Sequence, residues 1–341
     1  MSVVPSWPGE TLQYHHGRMV RLRYLVHGLV VATDSPLPIP ELVDGDDDGD
    51  ADVVVHLTTG RASAAEFEAT FSRADDPAFP WVSETWSAGG RVRVHFASGP
   101  SFELRPDEAW LVADESGDPD LVAHLLLDHV LPRVVSLRGD LMVHGSGAVG
   151  PSGAAHLFLA QTGSGKSTLA VALAAHGWGL VDDDGIRVQS VDGAFVVTLG
   201  YPMVRLLPDA SDAVLPGVAP GAPMAIGHAK RRFAVTGHLS MAGARSPIAA
   251  IHLLGWTHSE KPSSESVGFS AAVGEVSSHA FHMSVDQSKM AADAFGRAAA
   301  VCAAVPVRRL LRPHGHEHTS RVIALLSKLD SELAADLRQP E

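Results

Sequence analysis

One cysteine, Cys302, in 341 residues leaves no partner for an internal disulfide, so core packing must hold this chain together. A lone thiol agrees with a reducing cytoplasm, the expected location. Positive charge is scarce: 26 lysines and arginines against 39 aspartates and glutamates give a net charge of -13. That balance argues against a nucleic-acid or anionic-membrane binder, both of which need a basic surface. No apolar run approaches the roughly eighteen residues of a membrane span, and the opening MSVVPSWPGETLQYHH lacks the basic-then-apolar pattern of an export signal. Lysine is rarest of all among the basic residues: only Lys166, Lys230, Lys261, Lys289 and Lys328 occur. The first of them falls inside a glycine-rich loop, a placement that composition does not explain.

What is present reads as a soluble globular chain, 45% hydrophobic and 19% charged, long enough for two domains. Residues 1–116 read as a small, mostly β (α+β) domain with a role in substrate or partner recognition. Residues 20–33, VRLRYLVHGLVVAT, alternate as one strand; ADVVVHL, RVRVHFA, PSFELRP and AWLVADE follow as short strands, with a short helix over 62–72. Residues 117–341 read as an α/β domain. Residues 119–137 show helical spacing, capped by Asp118 or Asp120 and divided by Pro132. LMVHGSGAV, the turn GPSG and AAHLFLA predict a hairpin. A helix over 166–176 closed by Gly177, a strand over 179–184, a helix over 286–304, a strand over 305–310 and a helix over 317–337 complete the outline.

The segment AQTGSGKST at 160–168 fits the Walker A pattern, with Ala160 where the first glycine is expected. Backbone N–H groups of Thr162, Gly163, Ser164, Gly165, Lys166, Ser167 and Thr168 would form an anion nest where the helix dipole favours phosphate. Lys166 would reach the β- and γ-phosphates, and Ser167 would offer its hydroxyl to magnesium. ATP and Mg2+ are therefore the expected cofactors.

Three aspartates, Asp182–Asp184, end the next strand. The intervening helix rises about 16 Å at about 1.5 Å per residue, so a returning strand brings them back to the phosphate end. Strand alternation predicts Asp182 and Asp184 on one face and Asp183 on the other, one carboxylate for magnesium and one for an acceptor hydroxyl. A hairpin turning at GPSG would set Val149 opposite Ala154 and His144 opposite Leu159, across from the loop mouth. Arg205 and the run Lys230, Arg231, Arg232 are candidates to neutralise phosphate charge, with ordinary ion pairing as the competing reading.

The order VHGSGAV, LFLAQTGSGKST, HGWGLVDDD resembles the C-terminal catalytic domain of HPr kinase/phosphorylase, most specifically over residues 120–200. The resemblance implies a mixed-sheet P-loop kinase domain of the HPr kinase/phosphoenolpyruvate carboxykinase-like type. It implies Asp183 as general base toward a serine hydroxyl, Asp184 with Ser167 at the metal, and His144 and Lys166 as further catalytic residues. The family's hexamers imply self-association. The longer signature loop after the aspartates has no counterpart here. GYPMVRLLPDA, HAKRRFAV and YLVHGLVVATDSPLPIPEL instead look like the divergent relatives of lasso-peptide and other peptide-modification pathways, some of which phosphorylate a serine on a precursor peptide. The expectation is an ATP-dependent serine kinase acting on a protein or peptide. Ala160 and the missing loop leave a non-catalytic nucleotide-binding protein open, and a small-molecule kinase is the third reading.

Two other signals carry less. DGDDDGD at 44–50 opens like a calcium loop but has Val55 where the closing glutamate belongs. HGHEH at 314–318 has no fixed metal-ligand framework.

Overall fold

The computed structural model describes residues 14–15, 18–19, 22–42, 51–57, 68–72, 82–86, 91–225, 228–235, 239–281 and 288–337, so the acidic stretch 44–50 lies outside it. The first region is an eight-stranded sheet that starts with a reversal, not with one long strand. Leu22–Val26 and Leu29–Thr33 pair antiparallel around His27-Gly28, whose φ values of 50° and 69° are the left-handed pair a two-residue hairpin turn requires. Side-chain alternation continues through such a turn, so periodicity alone conceals it. Val53–His56 lies parallel to Leu29–Thr33 and to Glu108–Ala113. Ser101–Leu104, Val92–Phe96, Val82–Trp86 and Glu68–Ser72 then follow in antiparallel order. Glu68–Ser72 is thus a strand where a helix over 62–72 was expected, because pairing with Val82–Trp86 outweighs local preference.

A continuous helical segment covers this sheet. Asp118 caps it by accepting from the Asp120 N–H at 3.0 Å. Pro132 does not divide it. A π-helical turn over Leu126–Val130 intervenes between Pro119–Leu125 and Leu131–Leu137, and Pro132 falls in the first turn of the last piece, where a missing N–H is tolerated. Leu126, Leu131 and Val134 share one core with Val31, Val53, Val94 and Phe102.

The second sheet has ten strands and is mixed. Its order is Leu141–His144, Gly185–Val191, Ala194–Thr198, Arg245–Thr257, Ala155–Leu159, Ser146–Val149, Gly179–Asp182, Ser240–Met241, and Val307–Pro313 joins Arg245–Thr257 with Ser263–Ser266 beyond it. Ala155–Leu159, Arg245–Thr257 and Val307–Pro313 run parallel and end at one edge. Phe158 and Leu180 face the helices Lys166–Ala175 and Thr319–Leu337. Their chain neighbours Leu157 and Val181 face the other way, toward Phe269–Ser278 and Ser288–Ala304. The core is therefore two apolar layers, one on each side of the sheet. No helix among the described residues is long and apolar enough to cross a membrane.

The two sheets meet at the first hairpin's tip. A Cβ at Gly28 would lie 2.2 Å from Thr198 Cγ2, at a φ that L-residues adopt at a cost. Gly28→Ala is expected to destabilise the fold by about 2–4 kcal/mol through strain and overpacking, read as a lower urea midpoint at an unchanged slope.

Candidate active site

The phosphate loop sits at the carboxyl edge of the parallel strands, where α/β sheets bind ligands. Gly163 and Gly165 hold φ values of 82° and 76°, so the loop curls back through two left-handed residues before the helix Lys166–Ala175 begins. Thr162 and Gly163 are exposed, whereas Lys166 is buried. Its ammonium donates to the Ala160 carbonyl at 2.7 Å and the Gln161 carbonyl at 3.3 Å. Burial pushes Lys166 down to about 8, with Asp184 and Asp183 pulling the other way.

Those carboxylates have returned to the loop. The strand ends at Asp182, so the alternation predicted for all three aspartates stops there. Asp182 turns inward: its carboxylate accepts from the backbone N–H groups of Asp183 and Asp184 at 2.6 and 3.3 Å and lies 3.2 Å from His27 Nδ1 on the hairpin tip. Asp183 and Asp184 instead form one interacting pair. Asp183 accepts from the Ser167 hydroxyl and from the Arg205 backbone N–H at 2.8 Å. Burial, and then the Asp184 charge, push Asp183 up to about 7. For Asp184 burial also acts upward, but Lys230, His144, His124 and Lys166 together outweigh it and hold the carboxyl below its usual range. Two adjacent carboxylates are thus driven apart in acidity by their surroundings, the pattern that separates acid from base roles.

His144 reaches this pair by a different route from the one expected. The hairpin register is one residue off: Val149 pairs with Ala155 and Ser146 with Phe158, because Gly150 and Ala154 close a three-residue loop whose left-handed residue is Gly153. His144 does not oppose Leu159. It pairs with Gly185, just past the aspartates, and the Gly145 N–H donates to the Asp184 carbonyl at 3.1 Å. Gly145 makes the crossing between strands possible, since a Cβ there would lie 2.5 Å from Leu159 Cδ2. Burial lowers His144 to about 4, against the pull of Asp184, so its imidazole is neutral near pH 7.

The basic residues divide. GYPMVRLLPDA and HAKRRFAV pair with each other as Met203–Leu206 and Arg231–Ala234, with Arg205 opposite Arg232. Arg205 is already engaged: Asp128 takes both its terminal nitrogens and Asp184 lies 2.8 Å away. Its guanidinium braces Asp184 and is not presented to a phosphate. Arg232 is held by Asp120 and by the Met224 carbonyl at 2.7 Å. Lys230 supplies the strongest opposing charge on Asp184. Arg231 is exposed.

Asp128, His124, Tyr201 and His27 were not expected at the site. Asp128 lies in the π-helical turn, is buried, and accepts from Tyr201, Arg205 and His124. Such turns often mark functional positions. His124 and Asp128, four residues apart in the apolar run LVAHLLLDHVL, were the legible signal: polar groups on a buried helical face need partners. His27 left no sequence trace.

Magnesium fits this donor set. Two buried, mutually repelling carboxylates beside a hydroxyl carry the negative charge a cation would balance, and Mg2+ takes one or two carboxylates and completes its shell with phosphate and water. Among the described residues no cluster of three His, Cys, Asp or Glu side chains forms a self-sufficient metal cage, the tract at 314–318 included.

No family model matches the chain, and no curated protein matches it. Among solved structures, the HPr(Ser) kinase/phosphatase from Coxiella burnetii is similar at 12% identity and a TM-score of 0.30, over 57% of this chain and 92% of that one. What the site can do is read from its own side chains.

Proposed function

We propose that this chain is a kinase that transfers the γ-phosphoryl group of ATP to a serine hydroxyl of a protein or precursor peptide. One observation carries the reading: the Asp183–Asp184 pair lies against Ser167, the residue after Lys166, at the mouth of the phosphate loop. Lys166 and the loop amides bind the phosphates. Ser167 and Asp184 would hold magnesium, which when bound neutralises charge on the phosphate oxygens. Asp183, whose Oδ1 has no hydrogen-bond partner among the described residues, takes the acceptor's proton. The acceptor oxygen then bonds to the γ-phosphorus as the bond to the β-phosphate oxygen breaks, releasing ADP. Neutral His144 orients groups by hydrogen bonding and adds no charge. Asp128 and Arg205 position Asp184, and positioning with charge neutralisation supplies most of the rate.

The test incubates the full chain with γ-labelled ATP, magnesium and serine-containing peptides, including any encoded beside its gene. Phosphoserine detected by mass spectrometry is the expected result. Tight ATP binding with no transfer to any peptide would replace the kinase reading with a non-catalytic nucleotide binder. Label on a small alcohol alone would move the acceptor to that class.

A further inference from the structure

A cavity of about 140 Å³ opens on the far side of the phosphate loop from Asp183. One ordered water needs about 10–15 Å³ on the same measure, so there is room for a planar ring system. Its walls include Gly165, Thr168, Trp256, Arg312, His316 and Thr319. Two of these belong to the phosphate loop and the first turn of its helix. The others come from the carboxyl ends of Arg245–Thr257 and Val307–Pro313, where Trp256 and Arg312 are direct neighbours in register, and from the loop that follows.

Three features make this more than a surface dent. Trp256 is 44% exposed, a large apolar face left open beside a phosphate site. Planar groups are already stacked there: His314 lies 4.4 Å from the Trp256 ring at 17°, and the Arg312 guanidinium carbon is 4.6 Å from that ring's centre. Arg312 is itself only 7% exposed, donates to the Ser164 carbonyl of the loop, and keeps an Nε with no partner among the described residues. Polarity along the loop completes the picture. Lys166, Ser167 and the aspartates mark the end where the terminal phosphate reacts. Thr168 marks the opposite end, where a triphosphate would continue into its organic part.

Resting on the kinase reading above, we propose that the donor is a nucleoside triphosphate, in preference to pyrophosphate or polyphosphate. Its base docks in this cavity as a further plane against Trp256, His314 and Arg312. Stacking on aromatic and guanidinium faces suits any flat heterocycle and excludes a donor that is phosphate throughout.

Calorimetric titration of the full chain with Mg-ATP and with Mg-tripolyphosphate tests this in wild type, Trp256→Ala and Trp256→Phe. Trp256 ends a strand and is part-exposed, so the fold survives its removal; Arg312 is avoided because it braces the loop. Wild type should bind ATP at least about tenfold tighter than tripolyphosphate, and Trp256→Ala should lose about tenfold for ATP alone, the size of one stacking contact. Trp256→Phe should keep most of the ATP affinity. If Trp256→Ala binds both ligands as wild type does, or loses both equally, the base site is overturned while the phosphate loop stands. Wild type binding neither ligand would remove the kinase reading, and this inference with it.

Discussion

Asp183→Asn is expected to lower kcat by about 10²–10⁴-fold, the range a positioned general base contributes, while ATP affinity stays close to wild type. The amide keeps the side chain's shape and can still accept from Ser167 and the Arg205 N–H, but it takes no proton from the acceptor. The pH profile sharpens the test. A base works only when deprotonated, so kcat/KM of the wild type should climb with pH and level off above the Asp183 pKa. Burial and the Asp184 charge push that pKa up to about 7, and a bound divalent cation moves the break lower. The variant should lose this limb. Equal transfer by Asp183→Asn at every pH would remove Asp183 from the role.

Asp128→Ala is expected to cost about 3–5 kcal/mol of stability, the penalty of leaving one buried charge without its partner. Asp128 and Arg205 are both almost wholly buried, with Asp128 also holding the Tyr201 hydroxyl and His124. Burial lowers Arg205 to about 9, still charged at neutral pH, so the guanidinium cannot escape the cost by losing its proton. A second change separates charge from packing. Adding Arg205→Met to Asp128→Ala should recover a large part of the lost stability, because the stranded cation is gone. It should not recover transfer, since Asp184 then lacks its brace. Urea midpoints and single-turnover rates read the two effects separately. Unchanged stability in Asp128→Ala would show that this buried pair contributes nothing net.

The fold was legible where its signals were local. The helix over 166–176 and the turn at Gly177, whose φ is 90°, follow from capping and periodicity within a dozen residues. The two-residue reversal at His27-Gly28 was not legible, because alternation keeps its phase through such a turn. The hairpin register slipped because GPSG reads equally well as a two- or three-residue loop, and one residue decides which strand receives His144. Pro132 suggested a break, yet the π-helical turn before it absorbs the proline and aims Asp128 at the site.

Strand, glycine loop, helix and acidic strand are contiguous over 160–184, so covalent spacing alone carries the aspartates back to the lysine; that much is written in the chain. The contacts of Asp182 with His27, of Asp128 with Arg205, and of Trp256 with Arg312 and His314 join residues from 56 to 155 positions apart. Only the packed sheets bring them together. Helical and strand periodicities record which face of an element is buried, and they hold no record of which distant element buries it.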